Sequence, residues 1–236
     1  MGRSHSYINS AATILAGYRG EEPFANAIRK FFSSHSRYGS RDRKTIAHIC
    51  YCYFRTARLF EKDKKKEKLV KGLFLCSGSP NQVLEELQPG WNERTGASVA
   101  EKLELSGSQG FPGTLFPWSA QLSNGIEYEA FCLSFLVQPS LFLRVRPGFE
   151  NSVTKQLSTA GIAFAQPLAN CIELAAATKL EGVIGLNKEA VVQDYSSQRV
   201  GEMLALIKGE LQSPIKAWDC CAASGGKSIL AKDILG

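Results

Sequence analysis

No run of about 18 apolar residues, the length a membrane-spanning helix needs, occurs anywhere in the chain. The amino terminus, MGRSHSYINSAATILAGYRG, also lacks the long apolar stretch and small-residue cleavage pattern of a secretory signal. There is no CxxC pair: the seven cysteines, at 50, 52, 76, 132, 171, 220 and 221, are odd in number and scattered, and none stands beside histidine at zinc-ligand spacing. Cys50 and Cys52, two apart on an expected helix, point to different faces and cannot share a metal. Internal repeats and low-complexity segments are missing too. These absences argue against a membrane span, a disulfide scaffold and a structural metal, and they predict a cytoplasmic protein with free, buried thiols.

What is present supports real cores. The chain has 236 residues, 44% hydrophobic and 10% aromatic, enough for one large domain or two to three small ones. Its net charge of +6 is unevenly placed: residues 1–71 hold 16 Lys and Arg against 6 Asp and Glu, leaving 12 against 16 in the remainder. A basic amino-terminal third is an electrostatic footprint for a polyanion, with nucleic acid the leading partner. The run EKDKKKEK (61–68) alone reads as a solvated helix face.

Periodicity divides the chain further. Residues 1–105 read as helices: Pro23 marks a first turn, and Phe24, Ala27, Ile28, Phe31 and Phe32 form one apolar stripe. Gly39 and Ser40 act as stop and N-cap, and a helix over about 41–60 places Ile46, Ile49, Cys50, Tyr53 and Ala57 on one side. Ser79-Pro80 signals another start, with Val83, Leu84 and Leu87 as its stripe. GSQGFPGTLFPW (107–118) reads as a loop or linker, followed by a helix over about 127–137. The period then moves towards 2. LFLRVRP (141–147) alternates Leu141, Leu143 and Val145 against Phe142, Arg144 and Arg146, a half-buried strand. A helix over 150–160 and strands in IAFAQ, CIELA and EAVVQD complete a small α+β unit, followed by an amphipathic helix over 196–208 led by serine caps. IKAWDC (215–220) reads as a buried first strand of a further α/β domain.

That strand leads into DCCAASGGKS (219–228), small residues opening a helix, an arrangement that holds a ligand against the carboxyl end of a strand. A phosphate loop would need glycine at 221, where the chain has Cys221, and the glycines are not spaced as in a dinucleotide fingerprint. The stretch resembles instead the D-x-C-A-A-P-G-G-K-T/S motif of RNA cytosine-C5 methyltransferases of the Sun/RsmB (Fmu, NOL/NOP/Sun) family. It matches at Asp219, Cys221, Ala222, Ala223, Gly225, Gly226, Lys227 and Ser228, with Ser224 where that family has proline. SRDRKTIAHICYCYFR (40–55) is similar to part of the NusB-like RNA-binding domain of the same enzymes. PSLFLRVRP (139–147) is similar to the first strand of their central subdomain, and VVQDYSSQ (191–198) to the segment before their catalytic domain.

The resemblance implies a multidomain α and α+β protein: a NusB-like helical bundle (1–106), a linker and connecting helix (107–138), a ferredoxin- or RRM-like α+β subdomain (139–212) and the first β-α unit of a Rossmann-like methyltransferase domain (213–236). It implies S-adenosyl-L-methionine as cofactor, held by Cys221, Ala222, Ala223, Ser224, Gly225, Gly226 and Lys227. It implies RNA as partner, ribosomal before transfer RNA. Basic residues suited to phosphate contacts are Arg41, Arg43, Lys44, Arg55 and Arg58, with Arg144 and Arg146 as a second group; Asp42 can instead pair with a neighbouring arginine and fix a helix pair. In that family one cysteine adds to C6 of cytosine so that C5 becomes nucleophilic, and a second helps release product. Both lie later in the domain than Cys220 and Cys221, so the expectation is that these 236 residues are a monomer without methyl-transfer activity of their own, holding no catalytic residue and no metal. Two other readings stand beside this one: a non-catalytic NusB-like RNA-binding or antitermination module, and a nucleotide-binding protein using Gly226-Lys227-Ser228.

Overall fold

A computed structural model describes residues 2–108, 110–176, 178–211 and 215–236. The chain forms two compact units, Met1–Gln138 and Pro139–Gly236. Among the described residues no helix is long and apolar enough to cross a membrane.

The first unit is helical. Helices α1 (Arg3–Gly17), α2 (Phe24–Ser33), α3 (Ser40–Thr56) and α4 (Lys65–Cys76) are followed by the shorter α5 (Gln82–Leu87), α6 (Pro89–Glu93), α7 (Val99–Leu105) and α8 (Tyr128–Ser134). The stripes legible in the sequence become the core: Ile28 and Phe32 of α2, Ile46, Ile49 and Cys50 of α3, and Val83 and Leu84 of α5 are all buried, with Ala11, Leu69 and Phe74 between them. Burial pushes the Cys50 thiol up to about 12, so it packs as an apolar group. α3 and α4 approach closely at Gly72, where a Cβ would collide with Thr56 Oγ1 and stand 3.3 Å from the Cys52 carbonyl oxygen.

Three expectations for this unit change. The helix of residues 41–60 is α3 plus a separate 3-10 turn, Ala57–Phe60. Helix α5 is capped by Asn81, whose side chain accepts from the Leu84 N–H at 3.1 Å, and does not start at Ser79-Pro80. The Gly- and Pro-rich stretch is no spacer, although Gln109 within it lies outside the described residues. Leu115 packs with Leu59, Phe60, Leu75, Leu103, Cys132 and Leu136 in a second core, so 107–138 belongs to the helical unit. Glycine and proline there bend the backbone while the aromatic and aliphatic residues between them still bury.

The second unit is a four-stranded antiparallel sheet in the order β2-β3-β1-β4, with β1 Leu141–Val145, β2 Ala165–Leu168, β3 Cys171–Leu174 and β4 Ala190–Val192. Leu143 sits opposite Ile172 on one side and Val192 on the other. Leu143 and Val145 bury against Val153 and Leu157 of α9 (Glu150–Thr159), the alternation expected of a strand with one core face. Helices α10 (Tyr195–Ile207) and α11 (Gly226–Leu235) pack on each other, and a Cβ on Gly201 would meet Ile234 Cδ1 at 2.9 Å. Asp194, not a serine, occupies the N-cap position of α10.

Residues 215–219 do not form the expected buried strand. Among the described residues no other strand pairs with them, and Trp218 is 91% exposed. An extended segment becomes a strand only where a neighbour takes up its N–H and C=O groups. The expected boundary at 212–213 lies outside the described residues.

Asp42 ties α1 to the start of α3. It accepts from the Tyr7 hydroxyl at 2.5 Å, from Arg3 Nη2 at 2.8 Å and from the Gly39 N–H at 2.9 Å. The hydrogen bond from Tyr7, then that from Arg3, hold its carboxyl below the ordinary 3.8. Because the folded carboxyl is the stronger acid, its contribution is present above the unfolded value and lost as pH falls through the folded one. Asp42→Asn is expected to cost about 1–2 kcal/mol at pH 7, read by urea unfolding. The gap between variant and wild type should close in acid, as pH falls below the ordinary carboxylate range and the folded carboxyl takes up its proton.

Candidate functional site

In the helical unit, the basic residues singled out from the sequence separate into three fates. Arg41 and Lys44 line a cavity of about 610 Å³ together with Thr45 and His48 of α3 and the loop 77–81. These α3 positions repeat every three to four residues and so share one face. Arg41 Nη2 donates weakly to Gln82 Oε1 at 3.4 Å. Burial, and then the nearby Arg55, lower the His48 pKa, so at pH 7 the ring is neutral.

The other arginines are engaged elsewhere. Arg43 Nε donates to the Tyr38 carbonyl at 2.8 Å, and its guanidinium lies 5.8 Å from the Phe32 ring centroid, so part of its donor set is spent inside the unit. Arg55 Nη2 donates to Gln138 Oε1 at 2.7 Å while its Nη1 is buried without a hydrogen-bond partner. Arg58 stacks over Trp118, 4.6 Å from the ring centroid. Tyr51 and Phe54, exposed on α3, were not singled out from the sequence; they make edge-to-face contacts with Phe24 at 5.5 and 4.6 Å. Their signal was available: they fall on the helix face beside Lys44 and Arg58, and exposed aromatics among cations are what a nucleobase stacks on.

Arg144 and Arg146 correct the sequence reading. Arg144 is 1% exposed, donating from Nη1 to Asp233 Oδ2 at 2.6 Å and from Nε to Gln193 Oε1 at 2.8 Å. Arg146 Nη2 meets the other oxygen of the same carboxylate at 2.6 Å. Burial pushes the Asp233 carboxyl up, but hydrogen bonds from Arg146 and Arg144 together outweigh it and hold it below its ordinary range. The Arg144 guanidinium, this deep and with its charge matched, is a structural cation and not a phosphate contact, whereas the Arg146 side chain is 32% exposed and shares the same carboxylate.

The turn 219–228 is closed by its first residue. Asp219 Oδ1 accepts the Cys221 N–H at 3.1 Å and Oδ2 accepts the Ser228 hydroxyl at 2.7 Å. The backbone reverses through two left-handed residues, Ala223 (φ 43°) and Gly225 (φ 80°), and the Gly225 N–H donates to the Ala222 carbonyl at 2.6 Å. The second position suits glycine because a side chain there is strained. α11 begins at Gly226, and its first intrahelical acceptor, the Gly225 carbonyl, takes the Ile229 N–H at 2.8 Å; the N–H groups of Gly226, Lys227 and Ser228 precede that ladder. Lys227 Nζ reaches Ser197 Oγ at 3.4 Å.

A second cavity of about 610 Å³ opens beside this turn, lined by Ala222 and Lys227 along with Trp218, Asp219, Cys220 and Ser228. Of the remaining residues proposed from the sequence, Cys221, Ala223, Ser224, Gly225 and Gly226 shape the turn without lining that cavity, and the Cys221 N–H is already spent on Asp219. Among the described residues no group of three or more His, Cys, Asp or Glu could hold a metal ion.

No family model matches the chain, and no curated protein matches it either. A solved structure described as the crystal structure of PH0851 superposes with a TM-score of 0.59 at 13% sequence identity, covering 100% of this chain and 61% of that one. At that identity the likeness is one of fold: the chain spans about three fifths of the length of the protein it resembles.

The turn depends on α11 being held in place, and Asp233 holds it. Asp233→Ala leaves Arg144 buried and unpaired, and the second unit should lose about 3–5 kcal/mol, seen as lost hydrogen-exchange protection in α11. Replacing the pair together, Arg144→Met with Asp233→Leu, should restore most of that protection.

Proposed function

We propose that this chain carries the RNA-binding and cofactor-turn portion of an S-adenosyl-L-methionine-dependent RNA cytosine-C5 methyltransferase, with ribosomal RNA the preferred substrate and transfer RNA the second choice. The observation that carries the reading is the turn DCCAASGGKS, which combines eight motif residues with an Asp219-closed, left-handed backbone reversal into a helix start. The residues fit the cofactor. Small side chains leave the backbone open, N–H groups at the start of α11 precede the helical ladder, and the adjoining cavity carries both a carboxylate, Asp219, and an ammonium, Lys227. Asp219 sets the turn, Gly225 and Gly226 shape it, and Ala222 and Lys227 face the ligand. S-adenosylmethionine supplies an electrophilic methyl group when bound; the chain's own residues hold and orient it.

Arg41 and Lys44 serve the polyanion. They stand together at a concave surface of a unit whose basic excess lies within its first 71 residues. Tyr51, Phe54 and the Arg58–Trp118 stack give exposed rings to unpaired bases. Arg43, Arg55, Arg144 and Arg146 are not direct phosphate contacts in this reading, since each has an internal partner.

Two measurements test the proposal. Calorimetric titration should show S-adenosylmethionine binding, weakened by Asp219→Asn; binding of ATP in its place would overturn the cofactor assignment in favour of a phosphate loop. Fluorescence anisotropy with a single-stranded ribosomal RNA fragment should show affinity falling steeply with salt. In Arg41→Glu/Lys44→Glu the slope of log K against log salt should shrink by about 1 to 1.5, roughly 0.7 for each phosphate no longer neutralised. A salt-independent affinity would rule out the RNA reading.

A further inference from the structure

Cys76 lines the α3 cavity and Cys52 lies against His48 of the same lining, and the proposed function uses neither thiol. α3 and α4 run antiparallel with Gly72 pressed against the backbone of Cys52. Side chains on a helix lean towards its own amino terminus. Cys52 therefore leans towards His48, and Cys76, one turn beyond Gly72, leans back towards Cys52. Both thiols thus gather about His48, Cys52 in contact with its ring and Cys76 sharing the cavity lining with it. A disulfide spans facing α-carbons about 4.4–6.8 Å apart, and glycine at 72 lets the two helix backbones approach.

The two cysteines differ in surroundings. Cys52 is fully buried, with its sulfur 3.6 Å from His48 Nε2. Cys76 is half-buried and lines the cavity with Arg41, Lys44, His48 and Ser77, so a small solute can reach it. No acidic side chain lines that cavity among the described residues. Behind Cys76 stand two cations: Lys102, 5% exposed and donating to the Ser77 carbonyl at 2.6 Å, and Arg55, whose buried Nη1 has no hydrogen-bond partner. The hydrogen bond with Cys52, and then Arg55 and Lys102 against the opposing effect of burial, hold the Cys76 thiol below its ordinary range. Hydrogen bonding to Cys76, together with burial, holds the Cys52 thiol well above its own. One accessible sulfur thus favours the thiolate beside an inaccessible sulfur that keeps its proton, the division of labour between an attacking and a resolving cysteine.

We propose that Cys76 is a peroxide-reactive thiol and Cys52 its resolving partner, so that the helical unit carries a reversible Cys52–Cys76 disulfide. The Cys76 thiolate attacks one oxygen of hydrogen peroxide; the O–O bond breaks, hydroxide leaves and Cys76 becomes a sulfenic acid. Cys52 then attacks the Cys76 sulfur, the S–O bond breaks, and the Cys52 proton leaves with the departing hydroxyl as water. His48, neutral and in contact with Cys52, is placed to relay that proton. Two electrons pass from the two sulfurs to peroxide, and an external dithiol reverses the change. The bond would cross-link α3 to α4 directly beneath Arg41 and Lys44.

The test uses the reduced chain, graded hydrogen peroxide, alkylation of the remaining thiols and non-reducing peptide mass spectrometry. A Cys52–Cys76 cross-linked peptide should form at lower peroxide than oxidation of the exposed Cys220 and Cys221, and dithiothreitol should remove it. Cys52→Ser should leave a sulfenic acid at Cys76 that dimedone traps, and Arg55→Gln, which removes a cation from behind Cys76, should slow its oxidation about tenfold at pH 7. If Cys220 or Cys221 oxidises first in the wild-type chain, or Cys76 oxidises without joining Cys52, the proposal fails.

Discussion

One carboxylate organises the second unit. Asp233 reaches from the last helix to two arginines, Arg144 on β1 and Arg146 just past its end, and neither side of that interaction is stable alone. Remove the carboxylate and a fully buried guanidinium loses its counter-charge; remove the arginines and a buried acid must take up a proton. The ion pair couples the sheet to α11, and α11 begins at the turn that faces the second cavity. Gln193 extends the same network, because its side chain accepts from Arg144 and also lies against Gly226, 3.7 Å from where a Cβ would be. The geometry of a surface turn is thus set by charge burial nearly two helical turns away along α11.

The helical unit rests on close approach. Glycine at position 72 lets α4 press against α3 where any other residue would collide with Thr56 and the Cys52 carbonyl. That approach fixes which groups gather at the pair: Cys52 against His48, and Cys76 with Arg41 and Lys44 in the lining of the cavity. Asp42 adds a second restraint by joining the starts of α1 and α3, and in doing so leaves Arg41 and Lys44, close to it on the same helix, lining the cavity. Cations stay available at a surface only where other members of their cluster carry the structural contacts. In α3, Asp42 and Arg43 carry those contacts.

Much of this was legible one segment at a time. The stripe of Ile28 and Phe32, the stripe of Ile46, Ile49 and Cys50, and the alternation of Leu143 and Val145 each follow from a period of 3.6 or 2, and each became a buried face. The turn motif was legible because its residues are contiguous. The segment 107–118 misled because glycine and proline mark backbone bends, not the absence of burial, and Leu115 and Phe116 between them found a core. Residues 215–219 misled for the converse reason: apolar composition favours a strand, but strand formation depends on a neighbour that local sequence does not specify.

The sequence by itself determined most of the helices and strands, the faces they bury, the excess of positive charge in the first third and the composition of the closing turn, because all of these depend on residues within a few positions of one another. Only the tertiary structure decided which cations remain at the surface and which thiols meet. Arg144 and Asp233 stand 89 residues apart, and their pairing turned an apparent phosphate contact into a buried structural charge. Cys52 and Cys76 occupy different helices, which Gly72 lets approach closely. Charge and reactivity are set by what surrounds a side chain, and in a folded chain most of those surroundings come from distant sequence.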